Sequence, residues 1–302
     1  MTAFETSPDA PPPIESGHRF DADRRWAASL DLAFAPRDGV TRMTRCRHLG
    51  PLRVQRPFHP EGRHAEGRPG ACHAYLLHPP GGLVSGDALT ITARVEPGAH
   101  ALLTTPAANK LYRADSHGVA WRQHTRLEVA DQGVLEWLPQ ETLAFDGSRG
   151  EQCTTIALGE TSRCLGWEVM ALGRPASALP FQSGRIEQRF HLTRNGRPLW
   201  LERQPLDPRH PRFVGRWGQG GASVQATLWA VGLEDAAGAV DALREGLPEG
   251  PHWAVTVRHG VLLLRYLGAE RNEAWQLCCL AWSILRPRLL GQPAHTPRIW
   301  LT

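Results

Sequence analysis

Five carboxylates stand where a stiff loop or a strand could aim them: Asp87, Glu136, Glu141, Glu168 and Glu202. Asp87 closes the stretch His78-Pro79-Pro80-Gly81-Gly82-Leu83-Val84-Ser85-Gly86-Asp87. Pro79 and Pro80 fix φ and remove two backbone donors, while Gly81 and Gly82 reach backbone angles closed to other residues. Such a loop holds one irregular course and delivers Asp87 to a set place. There the carboxylate could ligate a metal or relay a proton; the plainer reading is a turn cap. A phosphate cradle is the other use of a glycine-rich turn, but no G-x-x-x-x-G-K-[ST] follows and no helix.

Glu136 lies between Leu135 and Trp137, and Glu168 between Trp167 and Val169. Strand alternation puts both glutamates opposite the tryptophans. That face reads as solvent, the alternative being a polar internal passage. Glu136 and Glu141 could serve a glycosidase as paired carboxylates, yet on a continuous strand residues five apart face opposite sides. Lys110 is the only lysine of a chain that otherwise uses arginine. It stands beside Tyr112 and Arg113, where an ion pair or a partner contact would use its compact amine. Cys72, His73 and His78 are close in sequence, but on a strand Cys72 and His73 point apart, which argues against zinc. No nucleophile elbow and no dinucleotide fingerprint appears.

The elements that must position these groups are mostly strands. Ala28, Leu30, Leu32 and Phe34 alternate, as do Leu89, Ile91, Ala93 and Val95. Glu96-Pro97-Gly98, Asp131-Gln132-Gly133 and Gly159-Glu160-Thr161-Ser162 separate successive strand pairs at intervals of about 30–35 residues, a weak internal repeat. Stacked sheets of solenoid-like, β-helical character are therefore expected, over a β body of about residues 18–220. Residues 1–17, with four prolines, read as a disordered tail. From about 221 to 302 the pattern becomes β-α-β-β-α. One helix carries Leu233, Ala237, Val240, Leu243 and Leu247. The second runs from Glu270 to Leu285, and Pro287 is expected to end it.

The 302 residues are 41% hydrophobic and 21% charged, ordinary values for a globular chain. A formal charge of +4 does not by itself imply nucleic acid. Six cysteines without Cys-x-x-Cys, and no secretory leader, suit reduced thiols in the cytoplasm. No apolar run reaches the ~20 residues of a membrane span.

Four segments in register carry a resemblance. They are the 78–87 stretch, Thr104-Thr105-Pro106-Ala107-Ala108-Asn109-Lys110-Leu111-Tyr112-Arg113, Leu135-Glu136-Trp137-Leu138-Pro139-Gln140-Glu141, and Leu172-Gly173-Arg174-Pro175. With the closing Pro297-Arg298-Ile299-Trp300-Leu301-Thr302, the chain from about residue 25 onward resembles the urease accessory protein family UreD, also called UreH. The resemblance implies a mainly β, non-catalytic scaffold with two helices. It implies binding to the urease apoprotein and to UreF, which recruits the GTPase UreG, and no tightly bound cofactor. It also implies a tunnel for transient Ni2+, whose acidic positions fall on Asp87, Glu168 and Glu202. Where many relatives have Gly-Gly-Asp, this chain has Ser85-Gly86-Asp87. Nickel(II) is held loosely by carboxylate and water, so spaced carboxylates suit a conduit better than a closed cage. The competing reading is an Arg-rich nucleic-acid-binding β-protein, using the Arg56–Arg68 and Arg203–Arg216 loops and the abundant tryptophans for stacking.

Overall fold

Alternation sets the first strand and most of those after it. The computed structural model describes residues 24–61, 69–174 and 177–301. Their elements, in chain order, are β1 (Trp26–Arg37), β2 (Val40–Leu49), β3 (Arg53–Val54), β4 (Cys72–Leu77), β5 (Gly82–Leu83), β6 (Asp87–Val95), β7 (His100–Thr104), β8 (Asn109–Leu111), β9 (Trp121–Val129), β10 (Val134–Leu138), β11 (Thr142–Ala144), β12 (Arg149–Leu158), β13 (Arg163–Arg174), β14 (Leu179–Pro180), β15 (Arg185–Arg194), β16 (Arg197–Leu206), α1 (Pro211–Val214), β17 (Val224–Val231), α2 (Ala236–Gly246), β18 (Trp253–Arg258), β19 (Val261–Gly268) and α3 (Arg271–Leu290). The expected tail at 1–17 and residues 62–68 of the Arg56–Arg68 loop lie outside the described residues.

The chain coils. β6, β9 and β12 each cross one sheet, turn, and return as β7, β10 and β13 in a second sheet. The first sheet has seven strands in the order β16-β15-β12-β9-β6-β1-β2, parallel from β1 to β15. The second contains the parallel run β13-β10-β7-β4, extended through antiparallel β17, β19 and β18. Short β5, β8 and β11 make a third parallel stack that ends on β13. The stacked turns lock together: Gly159 N–H donates to Val129 O at 2.8 Å and Thr161 N–H to the Asp131 carboxylate at 3.1 Å. This is the solenoid-like, mainly β architecture that the repeat predicts.

Both ends of the seven-stranded sheet are finished by antiparallel hairpins, β1–β2 and β15–β16, each with a register shift. The β15–β16 turn is Asn195-Gly196, with φ of 47° and 75°, the two-residue signal that suits the twist of a hairpin. His259-Gly260, with φ of 51° and 74°, does the same for β18–β19.

Three layers bury two cores. One lies between the sheets and includes Leu30, Leu32, Phe34, Leu103, Leu135 and Trp229. The other lies between the second sheet and the helices and includes Trp167, Leu228, Leu243, Leu264, Trp282 and Leu285. In β13, Leu165, Trp167 and Val169 face the helices, while Cys164 and Met170 face the first sheet. A strand buried on both faces reads as nearly continuous apolar sequence.

Two details depart from the sequence reading. Pro287 does not end α3. The helix runs on to Leu290 and stops at Gly291 (φ 73°), whose N–H donates to Pro287 O at 2.8 Å. A proline there removes one intrahelical donor, and buried Leu285, Leu289 and Leu290 hold the last turn in place. The four-residue α1 also forms inside the Pro/Arg-rich loop.

Gly150 shows how closely the coil packs. A Cβ there would lie 2.2 Å from the Trp121 ring. Gly150→Ala should lower the urea midpoint by the equivalent of about 1–3 kcal/mol or more, the usual range for overpacking. Gly250→Ala, at a position with nothing within 4 Å, should leave the midpoint unchanged. Equal midpoints for both variants would contradict the packing.

Candidate functional site

The 78–87 loop is two turns in series. Gly81 N–H donates to His78 O at 2.7 Å, and Asp87 N–H to Val84 O at 3.1 Å. The Asp87 carboxylate then accepts the Val84 N–H at 2.8 Å, so it does act as a turn cap. It is buried, 4% exposed, and begins β6 on the face shared by Leu89 and Ile91. Pro80, Gly82, Gly86 and Asp87 line a cavity of about 230 Å³ with Arg24, Trp26 and Tyr112. Pro79 sits in the first turn. Gly82 is where β5 meets β8: a Cβ there would lie 2.4 Å from Lys110 O. Lys110 itself is exposed and forms no ion pair among the described residues, against the ion pair entertained from sequence. Tyr112 and Arg174 converge on Phe145, the ring of Tyr112 edge-on at 5.2 Å and the guanidinium of Arg174 at 4.9 Å.

Glu168 and Glu202 come together between the sheets. Parallel register lines up Leu89, Gln123, Gln152, Gln188 and, by the closing hairpin, Gln204 on β6, β9, β12, β15 and β16. The next inward register holds Ile91, Thr125, Thr154, Phe190 and Glu202. Glu168, Gln225 and Thr227 face them from β13 and β17. Glu168 accepts from Thr154 Oγ1 at 2.5 Å and from Gln188 Nε2 at 3.3 Å. Gln225 Nε2 donates to Gln188 Oε1 at 2.8 Å and to Gln204 Oε1 at 2.6 Å. Gln204 in turn donates to Glu202 at 2.5 Å. At the far end of the row, Asn109 Nδ2 donates to Gln123 Oε1 at 3.0 Å. A line of polar side chains thus crosses the strands inside an apolar sandwich.

Glu202 also takes both arms of Arg265, at 2.9 and 2.5 Å, so the pair joins β16 of one sheet to β19 of the other. Glu168 and Glu202 share a cavity of about 30 Å³, room for about one water. Gln204, Gln225 and Arg265 border the adjoining cleft of about 320 Å³, which Trp217 and Arg212 also line. Burial, with the nearby charge of Glu202, pushes Glu168 up to about 7 against the pull of Thr154 and Gln188. Asp87 lies at the separate cavity described above. Among the described residues no three or more His, Cys, Asp or Glu gather as a ligand set; Cys72 and His73 are both buried, and neither belongs to one.

Contrary to the alternation reading, Glu168 faces the interior between the sheets rather than solvent, and neither is Glu136 at solvent. It shares its face with Val134 and Leu138, and α3 covers that face. The carboxylate is 0% exposed. It accepts from Trp282 Nε1 at 2.6 Å and from Arg286 Nε at 3.0 Å, and His100 Nε2 lies 2.8 Å away. Arg286 also reaches Glu61 at 2.6 Å, and Glu61 meets His73 at 2.9 Å. Burial works to raise the Glu136 carboxyl, but Arg286 and His100 outweigh it and hold it at about 2. This cluster escapes sequence reading because its members come from five places in the chain, the segment before β4, β4, β7, β10 and α3; its one signal is Arg286, standing among Trp282, Leu285 and Leu289. Glu141, 5% exposed, pairs with Arg271 at 3.3 Å. Glu136, sealed into its ion pairs, opens on no cleft and cannot act as a glycosidase carboxylate. The stacking platforms that a nucleic-acid reading needs are largely absent: Trp121, Trp137, Trp167, Trp229 and Trp282 are buried, while Trp217 is 92% exposed.

Arg286→Met leaves two buried carboxylates without their cation and should cost about 3–5 kcal/mol in urea unfolding; a change under about 1 kcal/mol would show that the cluster is not dry. Glu168 has the opposite linkage. Its pKa is raised in the folded state, so its contribution is full below about 4.5 and is lost as pH rises through about 7. Stability should fall by on the order of 2–3 kcal/mol from pH 5 to pH 8 through this group. Glu168→Gln should flatten that slope, and an unchanged slope would remove Glu168 as its source.

A family model described as "UreD urease accessory protein" matches residues 27–301. The chain is 68% identical over 292 residues to "Urease accessory protein UreD" of Marinobacter nauticus, covering 95% of this chain and 96% of that one. It is 68% identical to the protein of the same name from Chromohalobacter salexigens, over 95% and 92% of the two chains. It is 64% identical to "Urease accessory protein UreD 1" of Psychrobacter cryohalolentis over the full length of both. With the coiled β architecture and the motifs at 78–87, 104–113 and 135–141 all inside the matched region, the chain belongs to the UreD family of urease accessory proteins.

Proposed function

We propose that the chain is a non-catalytic scaffold of urease maturation in the cytoplasm, and that its polar interior conducts nickel toward the urease active site. In this reading it binds the urease apoprotein and UreF, which recruits the GTPase UreG, and it holds Ni2+ only as passing cargo. Family membership supports the maturation role. The observation that carries the conduit is that Glu168 and Glu202 line one small cavity within a row of glutamines and threonines between two apolar sheets.

The chemistry suits transfer rather than storage. Carboxylate and amide oxygens are hard donors that hold a divalent ion without locking it. A Glu168 carboxyl near about 7 can exchange its proton for a cation close to neutrality. The cavity of about 30 Å³ is too small for a hydrated ion. Passage therefore requires the Glu202–Arg265 pair to part, or the sheets to separate locally. Asp87, at its own cavity on the same inward face of β6, takes the place of an acidic entry or exit position in this scheme.

The test is co-expression of urease subunits and the UreF and UreG partners with the wild-type chain, with no chain, or with Asp87→Ala, Glu168→Gln or Glu202→Gln. Nickel per urease and activity are measured, with co-purification of the complex as the control. Wild type should restore nickel, and Glu168→Gln and Glu202→Gln should lower it severalfold while the complex still assembles. Full loading by all three variants would retain the scaffold and end the conduit. Loading that does not need the chain at all would end both.

A further inference from the structure

The outer face of the seven-stranded sheet carries an arginine cleft that the polar interior does not explain. It lies where the parallel strands β9, β12 and β15 begin and β16 ends, and it measures about 850 Å³. Seven arginines and four carboxylates line it. The carboxylates are already engaged. Asp115 pairs with Arg24, Glu151 and Glu187 meet Arg189, Glu187 also holds Arg203, and Asp207 accepts the Arg209 N–H at 2.9 Å. Arg113, a further lining arginine, is held by Asp146. The guanidinium groups of Arg122, Arg149, Arg185 and Arg209 form no ion pair among the described residues, the Asp207 contact of Arg209 being through its backbone N–H.

Two of these are forced together by register. Arg149 and Arg185 are direct partners on neighbouring parallel strands, about 4.8 Å apart at the backbone. Like charges in that relation repel. Both are exposed. Arg149 is also placed from behind: its guanidinium lies 3.1 Å from where a Cβ of Gly118 would be, so the turn at Gly118 makes room for it. The floor beneath is rigid, with Trp121 laid on Gly150 and donating to Ser148 Oγ at 2.9 Å.

We propose that this cleft binds a carboxylate-rich, extended segment of a protein partner. Guanidinium groups pair bidentately with carboxylates, and several spread over one cleft match several acidic side chains. A single small oxyanion would engage one or two arginines and leave the others unmatched across so wide a cleft. A nucleic acid would want an exposed aromatic platform, and the indole here, Trp121, is 1% exposed. The site is independent of the conduit and stands whether or not nickel passes through the interior.

The experiment is fluorescence anisotropy of a labelled decaglutamate peptide on the full chain, with inorganic phosphate as competitor and a decaglutamine peptide as the neutral control. Binding should weaken at least tenfold in the Arg149→Ala/Arg185→Ala double variant, and strongly between low and high salt. Arg42→Ala/Arg47→Ala, on exposed positions of β2 at the other end of the sheet, should leave it unchanged. Urea midpoints taken on the same samples separate loss of binding from loss of fold. Phosphate competing at concentrations equal to the peptide would make this a small-oxyanion site and overturn the assignment. So would equal weakening by the two double variants, or binding of decaglutamine as tightly as decaglutamate.

Discussion

Parallel register is the constraint from which the rest of the structure follows. β6, β9, β12 and β15 run in step, so a residue type at one inward position is set beside its counterparts on every neighbouring strand. Between apolar sheets a lone glutamine would lose its water and gain no partner. Gln123, Gln152, Gln188 and Gln204 occupy one register line, with Glu168 and Gln225 facing from the other sheet. Their amides satisfy one another, and the interior can hold polar groups without drawing in bulk solvent.

A second interaction fastens the helical layer. Arg286 enters the core on the apolar face of α3 and meets Glu136 from the second sheet and Glu61 from the segment before β4. Buried ion pairs add little net stability over apolar packing, yet each partner is costly to remove alone. What the pairing marks is the seat of α3: it ties the helix to β10 and to the segment before β4. The Trp167, Trp275, Trp282 and Trp300 rings pack around that seat, and Trp300 donates to Thr104 Oγ1 at 2.8 Å. The C-terminal segment is thereby tied to the β coil.

Much of this could be read from sequence, because alternation and turn residues are local signals. The strands that carry Ala28–Phe34 and Leu89–Val95, the stacked turns at 96–98, 131–133 and 159–162, and the β-α-β-β-α order of the tail lie where the pattern puts them. Pro287 was misread because a helix end depends on what its last turn buries as well as on its proline. Glu136 was misread because alternation names two faces but not which one a later helix will cover. The polar line was in fact legible: Gln123 and Thr125 share parity with buried Leu127 and Val129, and Gln152 and Thr154 with Ile156 and Leu158. Polar residues at the inward parity of an apolar strand are the trace such an interior leaves. That Glu168 and Glu202 line one cavity could not be read from the strand pattern, since it requires knowing that β13 lies across from β16; only the resemblance put them on one path.

The antiparallel hairpins at the two ends of the seven-stranded sheet have a consequence of their own. A coil of parallel strands exposes, at each end, a template on which another coil could continue, which is the geometry of a growing fibril. Here the final strands, β2 and β16, run against the grain, shift register partway along, and carry Arg42, Arg45 and Arg47 at one end and Arg197 and Arg203 at the other. A second copy arriving at either edge would meet reversed polarity, a broken ladder and like charge. The seven-stranded sheet thus keeps a β-helical interior while its two closing hairpins work against end-to-end growth through its own edges.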